Sequence, residues 1–221
     1  MQLKKIEKKV YALAENWVGK KHIPSMIRQL NKAFKPYIVC FSSDRFDSEY
    51  YADHNVIVNA HYCNRISDII PEHIFINLNF PRDSKKAIMT EKGARNLAVK
   101  IIRAIHHEYR HKHQQKQRPF LLQKPYEPKP KQNKLKAMYY GNPDEIDAHA
   151  YETQAEKLDI NKLRSAHKIS WRECEAIFMY RQTFRNQDPK IWKKFLKKVY
   201  KNNGRQDSTT RSISGSVLRS R

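Results

Sequence analysis

A chain of 221 residues and 26.4 kDa with 39% hydrophobic content is long enough for one core with appendages. Its 44 Lys and Arg against 22 acidic residues give a formal charge of +22, which points to a polyanionic neighbour such as nucleic acid. No apolar run approaches the roughly 18 residues of a membrane helix, and MQLKKIEKKV lacks the apolar stretch of a signal peptide, so the expectation is a cytoplasmic protein with no membrane span.

In chain order, residues 3 to 34 place Ile6, Val10, Leu13, Ala14, Trp17 and Val18, then Met26, Ile27, Leu30 and Phe34 at helical intervals. The interruption near Gly19 and Pro24 predicts two helices, taken as an N-terminal segment over 1–36. Three runs beginning at Tyr37, Val56 and His73 are β-branched or aromatic and bounded by polar segments, as in strands of a small sheet. In the third, Ile74, Ile76 and Leu78 alternate with Phe75, Asn77 and Asn79, as in a strand with one face in a core. After Pro81 the period becomes helical: Ala94, Leu97, Ala98, Ile101, Ile102 and Ile105 lead directly into His106 and predict one long helix ending before Pro119. Residues 112–136 hold four prolines and eight Lys or Arg against the single acid Glu127, a composition that predicts a basic irregular loop. Asn142 and Pro143 suit the cap and first position of a further helix. Its residues 140–160 carry six acids against Lys157, inverting the sign of the chain locally. Helices over about 162–185 and 189–201 follow as a C-terminal segment 161–201, and the Ser- and Arg-rich residues 202–221 predict a disordered tail. Cys40, Cys63 and Cys174 are odd in number and without CxxC pairing, which fits reduced thiols and excludes a cysteine-built zinc site.

His107-Glu-Tyr-Arg-His111 carries the chemistry. Two histidines four apart on a helix share a face, so both imidazoles can bind one metal ion, Zn2+ first among candidates. Glu108 stands beside that ion, where a carboxylate can take a proton from water and return it to a leaving amine. The bland alternative is a helix end whose histidines 106, 107, 111 and 113 interact with the C-terminal dipole. A catalytic zinc also needs a third protein ligand. Position 117, where two common arrangements place another histidine, is Gln117, which turns attention to the acidic helix. There Glu145, His149, Glu152 and Glu156 form one ionisable stripe. Glu145 is the first choice, followed by His149 and Asp147. Against it stands a capping box from Asn142 to Glu145, which would leave the glutamate only a helix-starting role.

These motifs resemble the HExxH zinc metallopeptidases of the gluzincin type, especially minimal-scaffold members and phage or bacterial metallopeptidase-like proteins. Tyr139-Tyr-Gly-Asn-Pro-Asp-Glu-Ile-Asp-Ala-His-Ala-Tyr151 looks like the second motif of that group. The resemblance implies an α+β, zincin-like fold: a small, mostly antiparallel sheet packed against the HExxH helix and further helices, over a core of 37–160. It further implies His107, His111 and Glu145 as zinc ligands, Glu108 as general base, and a protein or peptide substrate. Where the gluzincin pattern has an aspartate four residues after the ligand glutamate, this chain has His149. Tyr139, Tyr140 and Tyr151 lie near enough in sequence to supply a donor to the transition-state oxyanion.

Lys124, Lys129, Lys131 and Lys134 in the basic loop, with the six lysines between 190 and 201, form a positive surface suited to nonspecific phosphate contacts. The apolar face of the 189–201 segment reads as core packing in preference to membrane binding. The leading expectation is therefore a zinc endopeptidase working near nucleic acid, cytoplasmic or, in a phage, virion-associated. The alternative is a basic nucleic-acid-binding protein that keeps a zincin-like scaffold without proteolysis.

Overall fold

The computed structural model describes residues 2–46, 56–63, 72–81, 86–118, 126–163 and 174–215, with an α+β architecture of seven helices and five strands among them. The chain divides into two compact units, residues 1–117 and 118–221.

The first unit begins with α1 (Gln2–Glu15), which buries Ile6, Val10 and Ala14 at four-residue spacing, and Trp17 just beyond. Instead of a plain break, Gly19–His22 forms strand β1; Gly19 turns the chain with φ +85°, a value glycine adopts without a Cβ clash. Pro24 lies in the first turn of α2 (Ile23–Phe34), where it fits and does not interrupt. A 3-10 turn over Lys35–Tyr37 then leads through Ile38, a left-handed residue with φ 60°, so the strand expected from Tyr37 starts two residues later as β2 (Val39–Phe46). Strands β3 (Ile57–Cys63) and β4 (His73–Pro81) match their sequence signals.

The three-stranded sheet has the order β2-β4-β3, with β2 parallel and β3 antiparallel to the central β4. It is therefore mixed, which corrects the mostly antiparallel expectation for this sheet: β2 and β4 are not joined by a hairpin and are free to run the same way. Ile74, Ile76, Leu78 and Phe80 of β4 are buried with Val39 and Phe41 of β2. Burial of each such side chain contributes about 1.5–3 kcal/mol. Asn31 of α2 receives the Phe41 N–H at 2.7 Å and donates to the Phe41 carbonyl at 2.8 Å, satisfying backbone groups of β2. Strand β5 (Lys86–Met89) pairs antiparallel with β1, a second small sheet without apolar alternation to announce it.

Helix α3 (Glu91–Gln117) buries Ala94, Leu97, Ala98, Ile101, Ile102 and Ile105 and packs on α1 and β3. His106 Nε2 lies 2.9 Å from Glu7 Oε1, tying α3 to α1.

The second unit is helical: α4 (Lys134–Gly141), α5 (Pro143–Leu163), α6 (Glu175–Phe184) and α7 (Pro189–Gly215). Both ends of the expected loop 112–136 are thus helical, the first within α3 and the second within α4. Residues 119–125 lie outside the described residues, and two residues after them are fastened. The Tyr126 hydroxyl donates to Asp188 at 2.9 Å, and Lys129 Nζ lies 3.5 Å from the same carboxylate. Burial raises the Tyr126 hydroxyl to about 12, with the Asp188 hydrogen bond acting in the same direction. The helix expected over 162–185 is shorter, beginning at Glu175, while α5 reaches Leu163 and residues 164–173 lie outside the described residues. Helix α7 extends to Gly215, so residues 202–215 of the expected disordered tail are helical; no proline follows Pro189 to stop propagation. Residues 216–221 lie outside the described residues. The core joins Ile146 and Ala150 of α5, Ile177, Tyr180 and Phe184 of α6, and Phe195 and Val199 of α7. Among the described residues, no helix is long and apolar enough to cross a membrane.

Candidate functional site

Because α3 turns by about 100° per residue, His107 and His111 stand one turn apart on one face. Their Nε2 atoms are 3.0 Å apart and their rings meet edge to face, with centroids at 4.7 Å. His111 is oriented from behind: Gln114 Oε1, on a buried side chain, accepts from Nδ1 at 2.8 Å. In a neutral imidazole that bond would put the proton on Nδ1 and leave the Nε2 lone pair on the side of His107. Two nitrogens bound tetrahedrally to one zinc at about 2.0–2.1 Å would stand about 3.3 Å apart, only a few tenths from the observed spacing. Glu108 is 6% exposed. Burial and, next, the Glu108 charge push the Cys63 thiol up, so that thiol stays protonated and is a poor nucleophile.

The end of α3 is held by an ion-pair network that the sequence does not announce. Lys112 Nζ lies 2.7 Å from Glu72 Oε1, Lys116 follows at 3.6 Å, and the Tyr62 hydroxyl donates to Glu72 Oε2 at 2.9 Å. The Lys112 hydrogen bond leads in holding the Glu72 carboxyl below its ordinary 4.5, against the opposing effect of burial. A carboxyl with a lower pKa folded than unfolded stabilises the fold fully above the unfolded value, and the contribution disappears as pH falls through the folded value. Glu72→Gln should therefore cost about 1 kcal/mol near neutrality and nothing in acid. Melting temperatures of wild type and variant across the acid range should converge as pH falls; a constant gap would show that the charge on Glu72 is irrelevant.

On α5, Glu145, His149 and Glu152 share one face. His149 Nδ1 is 3.2 Å from Glu152 Oε1, and His149 Nε2 is 3.8 Å from Glu145 Oε2. The rings of Tyr139, Tyr140 and Tyr180 surround His149 with centroids at 5.9, 5.2 and 5.7 Å. Tyr151 lies two residues beyond His149, about 200° around the helix, and is half-buried on another side. Asp147 is committed elsewhere, its Oδ1 2.6 Å from Lys198 Nζ. The start of α5 bears on the role of Glu145. Asn142 Oδ1 accepts from the Asp144 N–H at 2.9 Å, so Asn142 caps. The Asn142 N–H, which a capping box would offer to Glu145, instead donates to the Tyr139 carbonyl at 3.1 Å. Glu156, the last acid of the stripe, accepts from the Glu175 N–H at 2.9 Å and caps α6.

Gln114 and Tyr180 were not legible as site residues. A glutamine three residues after the motif and a tyrosine within an apolar helix pattern carry no signal of their own. Of the basic-loop lysines, Lys129, Lys131 and Lys134 are exposed, with Lys129 paired to Asp188, and Lys124 lies outside the described residues. On α7, Lys190, Lys193, Lys194, Lys197 and Lys201 are exposed. Compared with family models, with curated proteins and with solved structures, the chain has no match.

Proposed function

We propose that the protein is a zinc-dependent metallopeptidase of the gluzincin type, with His107, His111 and Glu145 as metal ligands and Glu108 as general base. The observation that carries this reading is the pair of imidazoles on α3, with Nε2 atoms 3.0 Å apart and one of them fixed by Gln114. Two imidazoles and a carboxylate make the donor set of a hydrolytic zinc site, and His107, His111 and Glu145 are such a set. His107, His149 and Glu152 offer the same chemistry, which keeps His149 as the alternative ligand. Asp147 recedes, because ligation would cost its ion pair with Lys198.

When bound, zinc makes water more acidic and polarises a peptide carbonyl. Glu108 takes the proton from the attacking water as the new C–O bond forms, then gives it to the leaving nitrogen as the C–N bond breaks. Burial of Glu108 keeps competing solvent away from that transfer. Tyr139, 47% exposed and beside His149, is better placed to donate to a substrate oxyanion than Tyr140, which is half-buried. The test is metal analysis of the full chain with identification of cleaved fragments. The expected result is about one zinc per chain and fragments that disappear on chelation.

The exposed lysines of α7 favour action near nucleic acid, through phosphates and without base reading. Neutralising Lys190, Lys193, Lys194, Lys197 and Lys201 together should weaken DNA binding and flatten its salt dependence by about 0.9 in log–log slope per lost contact. Zinc content should stay unchanged. Equal affinity and slope would exclude this helix as the binding surface. Nucleic-acid binding with neither zinc nor cleavage would favour the scaffold-only alternative.

A further inference from the structure

Tyr180 is 0% exposed, and its hydroxyl has no hydrogen-bond partner among the described residues. The ring is well accommodated: it stacks on Phe195 at 3.9 Å with planes 7° apart and touches Phe184 at 5.7 Å. A phenylalanine would serve that packing equally well, while a buried hydroxyl without a partner carries a desolvation penalty. The oxygen therefore needs a separate reason. Its neighbours supply one, since Tyr180 lies beside the rings of His149 at 5.7 Å and Tyr140 at 5.6 Å. Burial first, and then the charges of Glu145 and Glu152, push its pKa well above 10, so the group remains a donor.

We infer that Tyr180 is a positioning residue of the α5 ligand set, its hydroxyl donating to the Glu145 carboxylate when metal is bound. This rests on the zinc reading of the site. A carboxylate that ligates through one oxygen leaves the other to be oriented, and such outer partners are commonly worth ten- to a hundredfold in metal affinity. The hydroxyl does not touch substrate; it acts through Glu145. Folding leaves the donor unmatched, and metal binding supplies its acceptor in the ligating orientation.

The test compares the full chain with Tyr180→Phe in chelator-competition titrations with zinc, in the visible spectrum of the cobalt-substituted protein, and in melts without metal. Zinc affinity should fall by about tenfold or more and the cobalt bands should change, while the metal-free melting temperature stays equal or rises. A role in packing alone would leave affinity and spectrum as they are, whatever the melting temperature does. In a Glu145→Gln background, Tyr180→Phe should produce no further loss of affinity, because the acceptor is already altered. Wild-type zinc binding matched by Tyr180→Phe, or an additive loss in the double variant, would overturn this role alone. Absence of zinc binding by the wild type would overturn the zinc reading and this role with it.

Discussion

Glu108→Gln is expected to lower peptide hydrolysis by at least about a hundredfold, or about 2.7 kcal/mol of barrier, with zinc content unchanged. Glutamine keeps the size and hydrogen-bonding capacity of glutamate but cannot hold the proton in transit. The substitution should also be mild structurally, because it replaces a buried carboxylate by a neutral amide of the same shape. A helix end stabilised by histidines would make no such demand on position 108. Fragments should be collected from a mixed protein substrate exposed to wild type or variant, with metal measured in both. Fragments produced equally by Glu108→Gln would remove Glu108 from the chemistry and make contaminating peptidase the first suspect.

Where burial imposed a period, the sequence could be read. The buried residues Ile74, Ile76, Leu78 and Phe80 of β4 alternate, and those of α3 recur every three or four positions, so both elements were apparent. Strands β1 and β5 were not: Gly-Lys-Lys-His and Lys-Ala-Ile-Met have little apolar alternation, and pairing between distant segments leaves no local trace. The parallel direction of β2 is equally invisible, since alternation reports a strand's faces and not its direction. At the site, the spacing from His107 to His111 was enough to bring two imidazoles together. The surrounding partners leave no pattern of their own: Gln114 reaches back one turn to His111, and the Tyr180 ring comes from another helix beside His149. Asn142 fitted both a simple cap and a capping box in sequence, and the choice depends on where its N–H goes. That group donates to the Tyr139 carbonyl, which is not the bond a capping box would make.

That distinction gives Glu145→Gln a result opposite in kind to loss of a cap. A glutamine in a capping box could still accept from the backbone, but as a neutral ligand it is a poor replacement for carboxylate. Zinc affinity should fall by at least about tenfold, with the metal-free melting temperature unchanged. His107→Ala should cause a loss at least as large, because His107 is a ligand in the proposed site whether Glu145 or His149 completes it. His149→Ala separates the two. Its effect on affinity should be smaller than that of Glu145→Gln if Glu145 is the ligand, and larger if His149 takes that place. Competition titrations on the four proteins decide the order. Full zinc affinity in His107→Ala would exclude the α3 pair as the metal site altogether, whatever the outcome at position 145.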